Sequence, residues 1–306
     1  MLTEVFYWLL NMSILGGLCC IPVLILRRIG KIPKTFVFWL WVIPLIRLIL
    51  PFGLTNPYSL MTLISKFTTR TVVIFERSGW EAKLAYANTI MAADSYFPLT
   101  FKAGLWEKVF GTAAMIWIVV AAAALLCAVL MYHFTRTEIK GAVHVKENIY
   151  RSGCVASAAL YGICRPKIIL PVSIGGPEQD YVILHEKMHL KRHDNLWRCV
   201  AVLTCCIHWF NPVCWLSLKY FFEDMELSCD SRVLQGLDGQ GKKEYAYAIL
   251  NASASKNLFA AGFGGARVRV RLENILSYRR LTAVSALAFA LLTIAVILML
   301  VTNAAV

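Results

Sequence analysis

The chain is built from long apolar runs set around one long mixed segment. Residues 5–26, 36–54, 113–132 and 282–301 are each apolar over enough length to cross a bilayer, which takes about 20 helical residues. No basic residue precedes the first run and no small-residue cleavage site closes it, so it reads as a retained helix. Within 133–281 the pattern changes. Strand-like patches at 142–146 and 167–171 give way to helical periodicity over 179–198, and again over 211–234 from near Pro212. Residues 236–243 read as a turn and the Gly-rich 260–266 as a loop. The predicted fold is mainly α and integral to a membrane, with four transmembrane helices carrying an α+β domain over 133–281. That domain includes a linker at 251–271.

Positive charge orients these spans. The sequence holds 31 Lys and Arg against 18 Asp and Glu, a formal charge of +13, yet only 16% of residues are charged and 58% are hydrophobic. Arg27, Arg28, Lys31 and Lys34 crowd the short loop 27–34 with no acid among them, and twenty of the 31 bases fall in 133–281, against six in 55–111. Cytosolic loops collect Lys and Arg. The N-terminus is therefore expected outside, 27–34 inside, 55–112 outside and 133–281 inside, with 282–302 crossing again to an external tail at 303–306. The bases sit beside apolar segments and form no nucleic-acid recognition motif, so they read as lipid contacts, with no direct nucleic-acid binding. Arg47 lies inside the second run, three residues after Pro44, where it must pair within the bundle or snorkel. Ten cysteines with no Cys-x-x-Cys pair, and none in the expected external loop, read as reduced thiols and not as a cysteine zinc site.

The chemical signal is Tyr181-Val-Ile-Leu-His185-Glu186-Lys-Met-His189. Two imidazoles at i and i+4 share one helix face and can reach one Zn²⁺, and Glu186 beside them can take a proton from a zinc-held water. His193 continues the spacing, but the helix face drifts by about 40° per four residues. It reads as an interfacial charge, and Lys191, Arg192 and Asp194 read as a solvated or lipid-facing turn. A third ligand is expected from Glu223-Asp224-Met-Glu226-Leu-Ser-Cys229-Asp230, the acidic helical cluster after the motif. Glu226 is the first choice and Glu223 the alternative. Asp230, four residues beyond Glu226, is expected to bond the outer nitrogen of a ligand imidazole. His208, Arg232 and Tyr245 are candidates to stabilise an oxyanion, and a substrate strand is expected to pair with a sheet edge near 167–171.

One constraint follows from length. Residues 197–222 are apolar enough to imitate a fifth span. A straight crossing there would separate His189 from Glu226 by about 30 Å. The segment must reverse, and Asn211-Pro212 supplies the break for a hairpin that dips into or lies against the membrane.

His185-Glu-Lys-Met-His189-Leu-Lys-Arg-His-Asp194, then His208-Trp-Phe-Asn-Pro212, then Asp224-Met-Glu226-Leu-Ser-Cys-Asp230 together resemble the antirepressor integral-membrane metallopeptidases of the β-lactam sensor-transducer type. Trp39-x-Trp41-x-x-Pro44-x-x-Arg47 and the four-span frame are similar too, so the likeness covers nearly all of 1–302. It implies a gluzincin-like zinc peptidase in a bacterial plasma membrane, with His185, His189 and Glu226 on zinc and Glu186 as catalytic base. It further implies an external signal relayed to cleavage of the chain itself, for which the linker 251–271 is the natural place, and of a cytosolic partner such as a transcriptional repressor. A homodimer is compatible with this. The best-known members continue into a penicillin-binding sensor domain, whereas this sequence stops at Val306; Ser253-Ala-Ser-Lys256 matches that sensor's Ser-x-x-Lys pattern on the wrong side of the membrane. A membrane quality-control metallopeptidase and a non-catalytic receptor or scaffold are the competing expectations.

Overall fold

The computed structural model describes residues 2–29, 32–50, 55–56, 105–139, 141–254, 268–278, 287–295 and 303–304. The first apolar run is a single helix, α1 (Leu2–Leu26), in which Trp8–Leu26 is long and apolar enough to span a membrane. The second run is two short helices, α2 (Lys34–Leu40) and α3 (Val42–Ile49), which meet at Trp41. Pro44 causes the break, because it has no N–H to offer the carbonyl of Leu40. The third run lies within α4 (Leu105–Glu138), where Lys108–Thr137 again has the length and apolarity of a span. Met115, Val119, Leu126 and Met131 on α4 are exposed, as on a helix whose solvent is lipid. Of the fourth expected span, residues 287–295 are helical and the remainder lies outside the described residues, as do the loop 260–266 and most of 55–112. Thr55–Asn56 pairs in parallel with Asn303–Ala304.

α1 and α3 pack closely because Gly16 leaves room; a Cβ there would collide with the Leu48 side chain. Arg47 does not snorkel. It is 1% exposed, inside the bundle and close to Cys19. No disulfide joins any of the ten cysteines.

A four-stranded sheet follows α4. Its strands are β1 (Val143–Lys146), β2 (Ile149–Ser152), β3 (Ala159–Tyr161) and β4 (Lys167–Pro171), in the order β1-β2-β4-β3. β4 runs parallel to β2, with Ile149 opposite Ile168, and antiparallel to β3, with Ala159 opposite Ile169. Two of these strands, β2 and β3, are too short to stand out in the apolar pattern. The expected substrate edge at 167–171 is therefore wrong: β4 is hydrogen-bonded on both sides, and its continuous apolar run is that of an interior strand. Ile168 and Leu170 pack with Ile149 and Leu160 against Val182 of α5 (Glu178–Arg192).

Helix α5 stops six residues earlier than its periodicity suggests. His193 takes a left-handed backbone at φ 56° and its N–H caps the carbonyls of His189 and Leu190. α6 (Asp194–Ile207) begins at once, and α7 (Pro212–Gln235) returns from the far end. The reversal falls at Asn211-Pro212. Asn211 accepts a hydrogen bond from the Val213 N–H at 2.9 Å, and Pro212 occupies the first helical position, where a missing N–H costs nothing. The Asn211 amide also donates to the Ser13 carbonyl and hydroxyl, both at 2.9 Å, tying the tip to α1. α8 (Gly239–Ala254) starts inside the segment expected to be a turn.

Asn211→Ala removes the cap and both bonds to Ser13. It is expected to destabilise the fold by about 1–2 kcal/mol, read as a lowered thermal midpoint in detergent.

Candidate metal centre

α5 is anchored by Val182 on the sheet and complements its own dipole, with Glu178 and Asp180 in the first turn and Lys191 and Arg192 in the last. The same buried side of the helix, one and two turns on, carries His185, Glu186 and His189. α7 crosses this face and presents Glu226, Cys229 and Asp230, whose spacing of three and four puts them on one side.

The Nε2 atoms of His185 and His189 are 3.1 Å apart. Glu226 closes the triangle, with Oε2 3.4 Å from His185 Nε2 and Oε1 3.6 Å from His189 Nε2. The outer nitrogens are already engaged. His189 Nδ1 donates to Asp194 Oδ2 at 2.6 Å, and His185 Nδ1 meets the Tyr245 hydroxyl at 2.8 Å. Tyr245 in turn donates to Asp230 Oδ1 at 2.6 Å. With protons on the Nδ1 atoms, both Nε2 lone pairs and a carboxylate face one another, an arrangement that calls for a shared cation. Ligands of a tetrahedral Zn²⁺ with bonds of about 2.0–2.1 Å stand about 3.3 Å apart, so the three separations fit such an ion.

A second donor set overlaps the first. His185, His189 and Cys229 offer one ligand atom each within 4.8 Å of one another, so a His-His-Cys metal site is also present. Cys229 Sγ lies 3.6 Å from His185 Nδ1, the nitrogen that Tyr245 occupies. Glu226 instead approaches the Nε2 atoms, whose lone pairs are turned toward each other. The Nδ1 hydrogen bonds therefore favour Glu226 as third donor.

The electrostatics suit a cation at either donor set, for His185 and His189 also hold the Cys229 thiol below its ordinary pKa against the effect of burial. Burial works against charge on the imidazoles, yet Cys229 and Glu226 hold the pKa of His185 up at about 9, and Glu226 and Cys229 hold that of His189 well above its ordinary value. Burial likewise opposes ionisation of Glu226, but His189, His185 and Arg271 keep it well below the usual carboxylate range. The pocket favours positive charge. Glu226 is further held by Arg198, whose guanidinium donates to Oε1 at 2.7 Å. Glu186, 7% exposed, has no hydrogen bond or ion pair among the described residues, and so its carboxylate is uncommitted.

Several sequence expectations are corrected. Glu223 belongs to another cluster, 3.1 Å from Arg27. His208 is buried at the far end of α6, bonded to the Leu48 carbonyl at 2.9 Å, and is no oxyanion candidate. Arg232 is half-buried and makes no ion pair with these groups among the described residues. Tyr245 belongs to the site, but behind His185, where its hydroxyl orients the ring; Asp230, which accepts from Tyr245, stands with Oδ1 3.4 Å from the outer nitrogen of His185, as expected. Asp194 and Arg192 are not a solvated turn: Asp194 is fully buried against His189, with Arg192 Nε 3.2 Å from its other oxygen. Asp194 was misassigned because it opens a new helix; the left-handed His193 folds it back under His189. Arg198, Cys229 and Arg271 were also missed. Only Cys229 carried a readable signal, its place three residues after Glu226.

Asp194→Asn removes the charge that fixes the His189 ring. It is expected to weaken divalent-metal affinity by about 10–100-fold, measured by titration of purified protein, with the helical content unchanged.

The sequence profile of the BlaR1 peptidase M56 family matches residues 7–282. Regulatory protein BlaR1 of Bacillus licheniformis is 33% identical over 175 residues, covering 53% of this chain and 29% of that protein. The methicillin resistance mecR1 protein of Staphylococcus aureus is 31% identical over 110 residues, covering 35% of this chain and 19% of that protein, and its Staphylococcus epidermidis counterpart gives the same figures. The chain thus spans less than a third of the length of these relatives. The match to the profile runs through both apolar helices and the whole of the histidine-carboxylate centre, and by it the chain belongs to the BlaR1 peptidase M56 family.

Proposed function

We propose that the chain is a zinc endopeptidase at the cytosolic face of a bacterial plasma membrane, acting in signal transduction by cleaving itself and a transcriptional repressor. The observation that carries the reading is the convergence of His185 Nε2, His189 Nε2 and Glu226 within 3.1–3.6 Å of one another, beside an uncommitted Glu186. The convergence suits a gluzincin site, in which two helical histidines and a glutamate from a second helix would hold zinc. An ion held there would polarise the scissile carbonyl and lower the pKa of a water. Glu186 is the group that would accept a proton from such a water and pass it to the leaving amine. Asp194 and Tyr245 keep the imidazole rings turned so that their Nε2 atoms face inward, and Arg198 holds Glu226 in place.

The excess of Lys and Arg in 27–34 and 133–281 supports a multi-pass topology with four spans and a cytosolic site. The hairpin of α6 and α7, whose tip packs Phe210 on Phe6 and ties Asn211 to Ser13 of α1, suits insertion deep into the bilayer. Two observations support a regulatory role. The relatives carry regulatory and resistance names, and residues 268–276, at the end of the linker 251–271, bring Arg271 to the site.

Glu186→Gln is expected to keep zinc at the wild-type stoichiometry while losing proteolysis by about 10²–10⁴-fold. Metal analysis with mass spectrometry of the cleavage products, self-cleavage included, reads both quantities. A variant that held zinc and still cut at the wild-type rate would remove Glu186 as the base.

A further inference from the structure

A second cation is already built into this centre. Arg271 lies in the helix at 268–276, which is seated by Ile275 and Leu272 on Val233, Leu234, Tyr245, Ala246 and Ile249. Its guanidinium is largely buried, with side-chain exposure of 16%, and donates twice to Asp230, at 2.8 Å to Oδ2 and 2.7 Å to Oδ1. The same group reaches past Asp230. One terminal nitrogen lies 3.3 Å from His185 Nε2, and the other 3.5 Å from Glu226 Oε2. These are two of the three atoms that face one another at the centre of the site. They are not incidental neighbours.

A lone pair serves one cation at a time, and two positive groups repel when they compete for the same donors. We propose that Arg271 is an internal competitor for the metal: its guanidinium neutralises Glu226 and occupies the space against His185 Nε2 when no ion is held there, and withdraws onto Asp230 when one is. The bidentate pairing with Asp230 makes this exchange possible, because the arginine can give up both contacts without losing its counter-charge. Its place in the chain gives the exchange a use. Residues 268–276 lie between the linker and the last apolar run, so any movement of that segment that carries Arg271 away from the donors favours metal binding. By thermodynamic linkage, metal binding loosens Arg271 in return. The inference rests on the metallopeptidase reading and adds a control of metal occupancy to it.

The test uses the full-length chain in detergent, titrated with Zn²⁺ against a competing chelator. Arg271→Met is expected to tighten zinc binding by about tenfold or more, within the 5–150-fold range of typical couplings. Arg269→Met is the control, since Arg269 is exposed on the same helix and paired with Glu273, and it should leave affinity unchanged. Repeating Arg271→Met in an Asp230→Asn background removes the carboxylate that the first variant would free, and tightening should persist there. The wild-type chain gives an independent reading that does not depend on any variant folding: zinc should raise amide hydrogen exchange across 268–276. Unchanged or weaker zinc binding by Arg271→Met, or protection of 268–276 on adding zinc, overturns the proposal and leaves the peptidase standing. A wild-type chain that binds no zinc overturns both.

Discussion

Three electron-pair donors that face one another cannot be left without a positive charge, and the polar half of this molecule is organised around that demand. His185 and His189 meet because a helix turn places residues four apart on one face. Glu226 meets them only because the chain reverses between them. Had 197–222 continued as one straight helix, the carboxylate would lie a membrane's thickness from the imidazoles. Asn211 and Pro212 prevent this, one by capping the new helix and the other by having no N–H to continue the old one. The chemistry of the site thus depends on a turn at the opposite end of the hairpin.

A converging set of donors is costly to hold, and each is fixed from behind. Asp194 secures His189 and is itself flanked by Arg192; Tyr245 secures His185 and is bonded to Asp230; Arg198 secures Glu226. Buried charges persist only when paired and hydrogen-bonded. Here the pairing extends outward until it meets groups that touch solvent, such as Arg198, a third exposed at its side chain. The orienting groups come from three different segments, α6, α7 and α8, so the centre forms only once all of them have docked.

That dispersal explains what could be read from the sequence. The histidines and Glu186 share short helical spacings, as Glu226 and Asp230 do on a second helix, and spacing is visible in one dimension. The reversal at Asn211-Pro212 was legible for the same reason: residues with fixed backbone preferences announce it. Asp194 was misread because the cue that folds it inward is a left-handed backbone at His193, and histidine is not a residue that advertises such a turn. Tyr245 and Arg271 lie 60 and 86 residues from His185, and nothing local marks them as its partners. His208 was misjudged in the opposite direction. A histidine near a catalytic motif invites a chemical role, but at the end of α6 it serves the packing of α3 by bonding the Leu48 carbonyl. The edge-strand expectation failed on topology, since a run of five residues cannot reveal that β2 and β3 bond it on both sides.

The membrane-side helices bear on the centre through a small set of contacts. Asp224, two residues from Glu226, is fully buried and accepts from the Trp41 indole at 2.8 Å and from Arg27 at 3.1 Å. Trp41 sits at the break between α2 and α3, and Arg27 follows directly on α1. One turn before Trp41, Phe38 stacks on Phe221 of α7, with ring centroids 5.6 Å apart, and lies under the Arg192 guanidinium, which flanks Asp194. The bent second apolar segment therefore touches both the carboxylate-bearing helix and the end of the histidine-bearing helix. Sliding it away would strand a buried carboxylate without partners, a penalty of several kcal/mol. Such an interface resists small displacements and yields only to a rearrangement that repacks Asp224 as a whole. A bend fixed by Pro44 and locked to α7 by a buried charge thus makes the α1–α3 unit and the donor-bearing helices one mechanical body.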